Sequence, residues 1–77
     1  MEREIEHEGK VYCVQPFSYC RDMGVIRDGS QMVAGWSHDE QKGYHVQLAN
    51  SPGEARGPRL SECFLELLSA QQVQAAQ

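Results

Sequence analysis

The chain has 77 residues, with seven Lys and Arg against eleven Asp and Glu, for a net charge of −4. That sign excludes a general affinity for phosphate backbones or anionic membranes, both of which need a basic surface. With 40% apolar residues, one domain of this length can bury one helix on one sheet, with no volume left for a deep substrate pocket.

The N-terminus, Met1-Glu-Arg-Glu-Ile-Glu6, is the opposite of a signal peptide's basic then apolar start. No apolar run approaches the roughly 20 residues of a membrane span. Together these predict a cytoplasmic protein. Glu2, Glu4, Glu6 and Glu8 alternate with Arg3, Ile5 and His7. A strand over 3–7 would line these carboxylates along one face, about 6.7 Å apart, twice the strand rise.

Glu8-Gly9 suits a turn into a second strand over 10–15, rich in β-formers (Val11, Tyr12, Val14). Pro16 should end that strand or confine it to an edge, and residues 17–24 read as a connection. A third strand over 24–28 leads to Asp28-Gly29, which favours a tight hairpin turn. The fourth, over 31–37, would place Met32, Ala34 and Trp36 on one face. A polar loop closing at Gly43 precedes a fifth strand over 43–49, where Tyr44, Val46 and Leu48 alternate with His45, Gln47 and Ala49. Residues 50–57 read as a connection, in which Ser51 and Glu54 have the spacing of a capped helical turn.

Pro58 suits a first helical position, and Leu60, Cys63, Phe64, Leu67 and Leu68 recur at helical spacing. A helix over 58–72 follows, with a fraying tail over 73–77. Leu65, on the side of Leu68, widens the apolar face, so either the sheet curls around it or Leu65 and Leu68 meet another chain. The predicted fold is α+β: an antiparallel sheet of four to five strands, a meander of hairpins, with one C-terminal helix packed on one face.

The cysteines Cys13, Cys20 and Cys63 are odd in number and form no C-x-x-C. Reduced thiols are therefore expected. Six residues lie between Cys13 and Cys20, and six between His38 and His45, too many for paired zinc ligands, so no metal or other cofactor is expected. Gly53 and Gly57 precede a helix without the spacing of a phosphate-binding loop. No nucleophile–base arrangement has a family signature, so the chain does not read as an enzyme.

The order strand, strand, Gly53-x-x-x-Gly57, helix resembles the closing part of a double-stranded RNA-binding domain. That family sets a Lys cluster at its second helix, whereas this turn offers Arg56 and Arg59 among Glu54, Glu62 and Glu66. The stretch from Tyr44 through Pro52-Gly53 to Cys63 also resembles the strand–loop–helix of HicB-type antitoxins. It differs in loop length and lacks that family's acidic residue before the helix, and no site residue is carried over from either family.

The resulting expectation is a non-enzymatic, small acidic interaction module. It would be a regulator or inhibitor of the kind carried by phages and mobile elements, like anti-CRISPR proteins or antitoxins in class. Its protein partner would have a basic surface, met by Glu2, Glu4, Glu6 and Glu8 or by Leu65 and Leu68. Homodimerisation would bury further surface. The alternative is a dimeric nucleic-acid-binding regulator in which the fold gathers Arg21, Arg27, Arg56 and Arg59.

Overall fold

A computed structural model describes residues 3–75. Six strands run in chain order, β1 (Glu4–His7), β2 (Lys10–Phe17), β3 (Cys20–Asp28), β4 (Gln31–Asp39), β5 (Gly43–Leu48) and β6 (Glu54–Gly57), followed by α1 (Leu60–Ala75). Each strand pairs antiparallel with its sequence neighbour, and the sheet curls as a half-barrel around the helix. The architecture is the expected α+β meander with one C-terminal helix. It has six strands rather than four or five.

Short turns set this topology. Glu8 (φ 52°) and Gly9 (φ 80°) are both left-handed, the requirement of a type I′ hairpin, whose twist matches that of its strands. The β3–β4 turn is Gly29-Ser30 rather than Asp28-Gly29: Asp28 pairs with Gln31, and only Gly29 has positive φ, at 62°. The β4–β5 turn is Glu40–Lys42. Asp39 Oδ1 accepts the backbone N–H groups of Gln41 and Lys42 at 2.7 and 3.2 Å. Those two bonds hold its carboxyl below the usual aspartate range.

Gly43 (φ 79°) closes that loop where a Cβ would meet the Gly57 carbonyl at 2.5 Å. No other residue fits there without moving β6.

Three expectations about strands are corrected. Pro16 does not end β2, because the Val14 N–H points to β1 and bonds the Arg3 carbonyl. Two residues on, the missing Pro16 N–H faces the same side, beyond the last β1 partner, where no ladder bond is lost. Across from Pro16 lies Gly24, where a Cβ would run into the Gln15 carbonyl. Residues 20–24 therefore belong to β3 rather than to a connection.

The third correction is β6. Its residues pair with β5 as Tyr44↔Gly57, His45↔Arg56, Val46↔Ala55 and Gln47↔Glu54, so no capped helical turn forms at Ser51–Glu54.

The core lies on the inner face. Ile5, Tyr12, Val14, Ile26, Ala34, Trp36 and Val46 meet Leu60, Cys63, Phe64 and Leu67 of α1. Phe64 is fully buried and stands edge-on to Tyr12 at 5.0 Å between ring centroids. The helix begins at Leu60, two residues after Pro58. It continues through Ala75, so residues 73–75 of the expected fraying tail are helical and residues 76–77 lie outside the described residues.

Candidate functional site

Strand residues alternate between faces, and two irregularities decide what the outer face presents. The register shifts between Ile26 and Arg27, so that Ile26 pairs with Ala34 but Arg27 with Met32. Val33 is thus an extra residue, a β-bulge that turns Met32 outward while Ala34 and Trp36 point in. The expectation that all three share one face is corrected by that single residue. A second irregularity, at Pro16/Phe17, closes the β2–β3 end, where Phe17 and Tyr19 stack at 5.1 Å with 9° between ring planes.

Reading outward-facing partners across the strands gives three rows. The first is Glu4–Cys13–Arg27–Met32, the second Gln15–Val25–Gly35–Gln47–Glu54, and the third Met23–Ser37–His45–Arg56. Glu6 lies above the first row opposite Val11. Gly35, in the middle row, has no side chain to fill the centre. A depression of about 290 Å³ results, lined by Phe17, Met23, Val25, Met32, His45 and Gln47. Met23 and Met32 are 46% and 44% exposed, Val11 49% and Tyr19 81%. Contiguous exposed apolar surface rimmed by polar groups is the usual mark of a docking surface.

Charges of both signs border this face. Glu4 and Glu6 stand on β1, about 6.7 Å apart and both exposed. On β6, Glu54 Oε2 lies 3.3 Å from both Gln47 Nε2 and His45 Nε2. Those hydrogen bonds, Gln47 first, hold its carboxyl below the usual glutamate range. Arg56 is its exposed neighbour on the same strand. Arg27 is tied in the plane of the sheet, donating from Nε to Gln15 Oε1 at 2.9 Å and from a guanidinium NH₂ to the Ser30 carbonyl at 3.2 Å.

At the β3–β5 end, Lys42, His45 and Arg56 border a cleft of about 340 Å³ that also contains Cys20, Asp22 and Tyr44. His38 packs there against Tyr44, 4.5 Å between ring centroids. Its Nδ1 is 3.9 Å from Asp22 Oδ1, too far for a hydrogen bond. Among the described residues no three His, Cys, Asp or Glu side chains are arranged to hold a metal ion.

The expected site residues are only partly brought together. Glu4 and Glu6 share the outer face of β1, whereas Glu8 sits in the turn with left-handed backbone and leaves the ladder. Glu2 lies outside the described residues. Leu65 and Leu68 are half-buried and pack against the core. Arg27 and Arg56 are on β3 and β6 with two strands between them, so the fold does not gather the four arginines into one patch. Sequence reading missed the outer apolar surface because period-2 alternation assigned Met32 to the core and residues 17–24 to a loop.

No helix among the described residues is long and apolar enough to cross a membrane. Compared with known proteins, the chain matches no family model, no curated protein and no solved structure.

Proposed function

We propose that the chain is a non-enzymatic acidic interaction module, a regulator or inhibitor that binds a protein partner through the outer face of its sheet. The observation that carries this reading is the division of the sheet's two faces. The helix covers the inner face, while the outer face leaves Met23 and Met32 nearly half exposed around a central depression, with Val11 similarly exposed on β2. Methionines adapt to irregular partner surfaces because they are unbranched and polarisable.

Glu4 and Glu6 at the β1 rim steer a partner with a basic surface toward the apolar contact. Leu65 and Leu68 serve the fold in this reading. Charges on an edge strand also block edge-to-edge aggregation, and the test must separate the two roles.

The experiment identifies a protein retained from a host lysate, then measures its on-rate against three chains at two salt concentrations. The chains are wild type, a variant with Glu2, Glu4, Glu6 and Glu8 all changed to Gln, and Met23→Lys. The expected result is a slower on-rate for the Gln variant at low salt, a gap that closes at high salt, and loss of binding for Met23→Lys. Equal rates and intact binding for both variants would reduce the ladder to a solubility device and sink the outer-face reading.

A further inference from the structure

We infer that the free edge of β1 takes an extended, basic segment of the protein partner as an added antiparallel strand, with Lys or Arg at alternate positions. The inference rests on the reading that the chain binds a protein with a basic surface, and it adds how that partner is held.

β1 and β6 are the two edges of the sheet. The Val14 N–H bonds the Arg3 carbonyl, and hydrogen-bonded pairs alternate along an antiparallel ladder. With Glu4 opposite Cys13 and His7 opposite Lys10, Arg3, Ile5 and His7 therefore turn their N–H and C=O groups toward β2. Glu4 and Glu6 turn theirs away from the sheet, and among the described residues no other backbone group bonds them. The helix lies chiefly against β5 and β6, toward the other edge. An unpaired row of backbone donors and acceptors is a template for one more strand. β1 also holds an unmet side-chain bond: His7 Nε2 is buried with no hydrogen-bond partner, and Glu8 Oε2, at 4.0 Å, is too far to be one.

Charge chooses the occupant. Glu4 and Glu6 are exposed on the outer face, about 6.7 Å apart, and among the described residues no cation pairs with either. A second copy laid antiparallel on this edge would set carboxylate opposite carboxylate, an arrangement that destabilises a strand pair. A segment with Lys or Arg at positions i and i+2 instead sets one cation opposite each carboxylate, on the same face. The residue between them falls on the inner face beside Ile5, which is buried at the margin of the core, so it is apolar. The pattern this edge recognises is basic, apolar, basic.

The β6 edge sets no such rule. The Leu48 N–H bonds the Gly53 carbonyl, so by the same alternation Glu54 and Arg56 hold the free backbone groups there. Their charges are opposite, Glu54 is already held by Gln47 and His45, and Pro58 follows the strand. Of the two edges, only β1 puts free backbone groups and unpaired charge of one sign on the same two residues.

The test titrates a synthetic peptide with Lys-Val-Lys at its centre into the isotope-labelled chain at low salt, followed by amide NMR. The Glu4 and Glu6 amide signals should move most, and those two amides should become protected from hydrogen exchange. A peptide of the same composition ordered Lys-Lys-Val should bind about tenfold more weakly, because its two charges then face opposite sides of the sheet. Methylating the backbone nitrogens of both lysines keeps the charge and removes the N–H donors aimed at the edge, so affinity should again fall about tenfold. Methylating the valine nitrogen, which points away from the edge, should matter far less. Glu4→Lys/Glu6→Lys, at exposed positions, should keep the wild-type melting temperature, lose the Lys-Val-Lys peptide and take up one with Glu-Val-Glu.

Shifts confined to residues away from β1, equal affinity for the two residue orders, or affinity indifferent to lysine N-methylation would overturn the proposal. The last result would reduce the carboxylates to a steering charge. Glu4 and Glu6 signals that move with the chain's own concentration would make the occupant a second copy and overturn it as well. Host-protein capture separates edge pairing from the outer-face reading. A peptide that fails at β1, beside capture lost on Met23→Lys, overturns edge pairing alone. Peptide pairing at β1, beside capture indifferent to Met23→Lys, supports the edge and removes the outer face from partner binding.

Discussion

The two faces of one sheet, built from the same strands at alternate residues, have met opposite fates. On the inner face, Val14, Ile26, Ala34 and Val46 are buried beneath Leu60, Cys63, Phe64 and Leu67. On the outer face, Val11, Met23 and Met32, which are no less apolar, remain near half exposure. Hydrophobicity alone therefore does not decide burial here. What decides it is which face receives the helix, and the described residues supply one helix.

The sharpest way to break the inner face is Phe64→Ala. A fully buried aromatic truncated to Ala costs about 3–5 kcal/mol, most of the roughly 5 kcal/mol expected of so small a domain. Urea titration should show little folded protein at 25 °C. Gly43→Ala comes next. It combines a positive φ with a collision at the Gly57 carbonyl, and a strained backbone position of this kind costs roughly 1–3 kcal/mol. A thermal melt should fall by about 4–8 °C per kcal/mol lost in a domain this small.

A smaller effect belongs to pH. Burial raises the Cys63 thiol above its usual value, with Glu66 and Glu62 adding to the shift. A raised folded-state value favours the neutral thiol, so its contribution is complete below the unfolded thiol's value near 9 and falls as pH rises past it. Stability should therefore decline in alkali, and Cys63→Ala, though weaker overall, should flatten that decline. At the acid end, Glu54 is held low by Gln47 and His45. Its contribution is present above the ordinary glutamate range and fades as pH falls through it. Gln47→Leu, which removes the larger cause, should shrink the acid-side loss measured by denaturant midpoints.

The smallest effect should come from the outer face. Met32→Ser removes as much apolar surface as many core truncations, yet at an exposed site it should change stability by no more than about 0.5 kcal/mol. A melting temperature well below wild type would mean that the outer face contributes to the core and that the contrast between the faces is weaker than described.

How much of this was legible in the sequence follows the range of the forces involved. The helix phase was, because Leu60, Cys63, Phe64 and Leu67 repeat at a period set by the helix itself. The Glu8-Gly9 turn was too, since positive φ is a local demand. The bulge at Val33 was not: it is defined by pairing with β3, and alternation without it sends Met32 to the wrong face. Nor was β6, whose Glu-Ala-Arg-Gly has no β-former and becomes a strand through its bonds to β5. The candidate surface was hidden for the same reason, since two pairing irregularities determine its composition.

The meander has a consequence for the order in which the protein assembles. Each strand finds its neighbour across a turn of two or three residues, except the last, so the sheet closes through short loops and should form fast. The helix that covers it is synthesised after all six strands, and Phe64 must return to Tyr12, fifty-two positions back (64 − 12). A chain growing from its N-terminus therefore displays an uncovered apolar sheet for several seconds at about 5–20 residues per second. During that interval both faces are bare, and the acidic strand made before the other five, Glu4 to His7, is the part already in place to keep nascent copies apart.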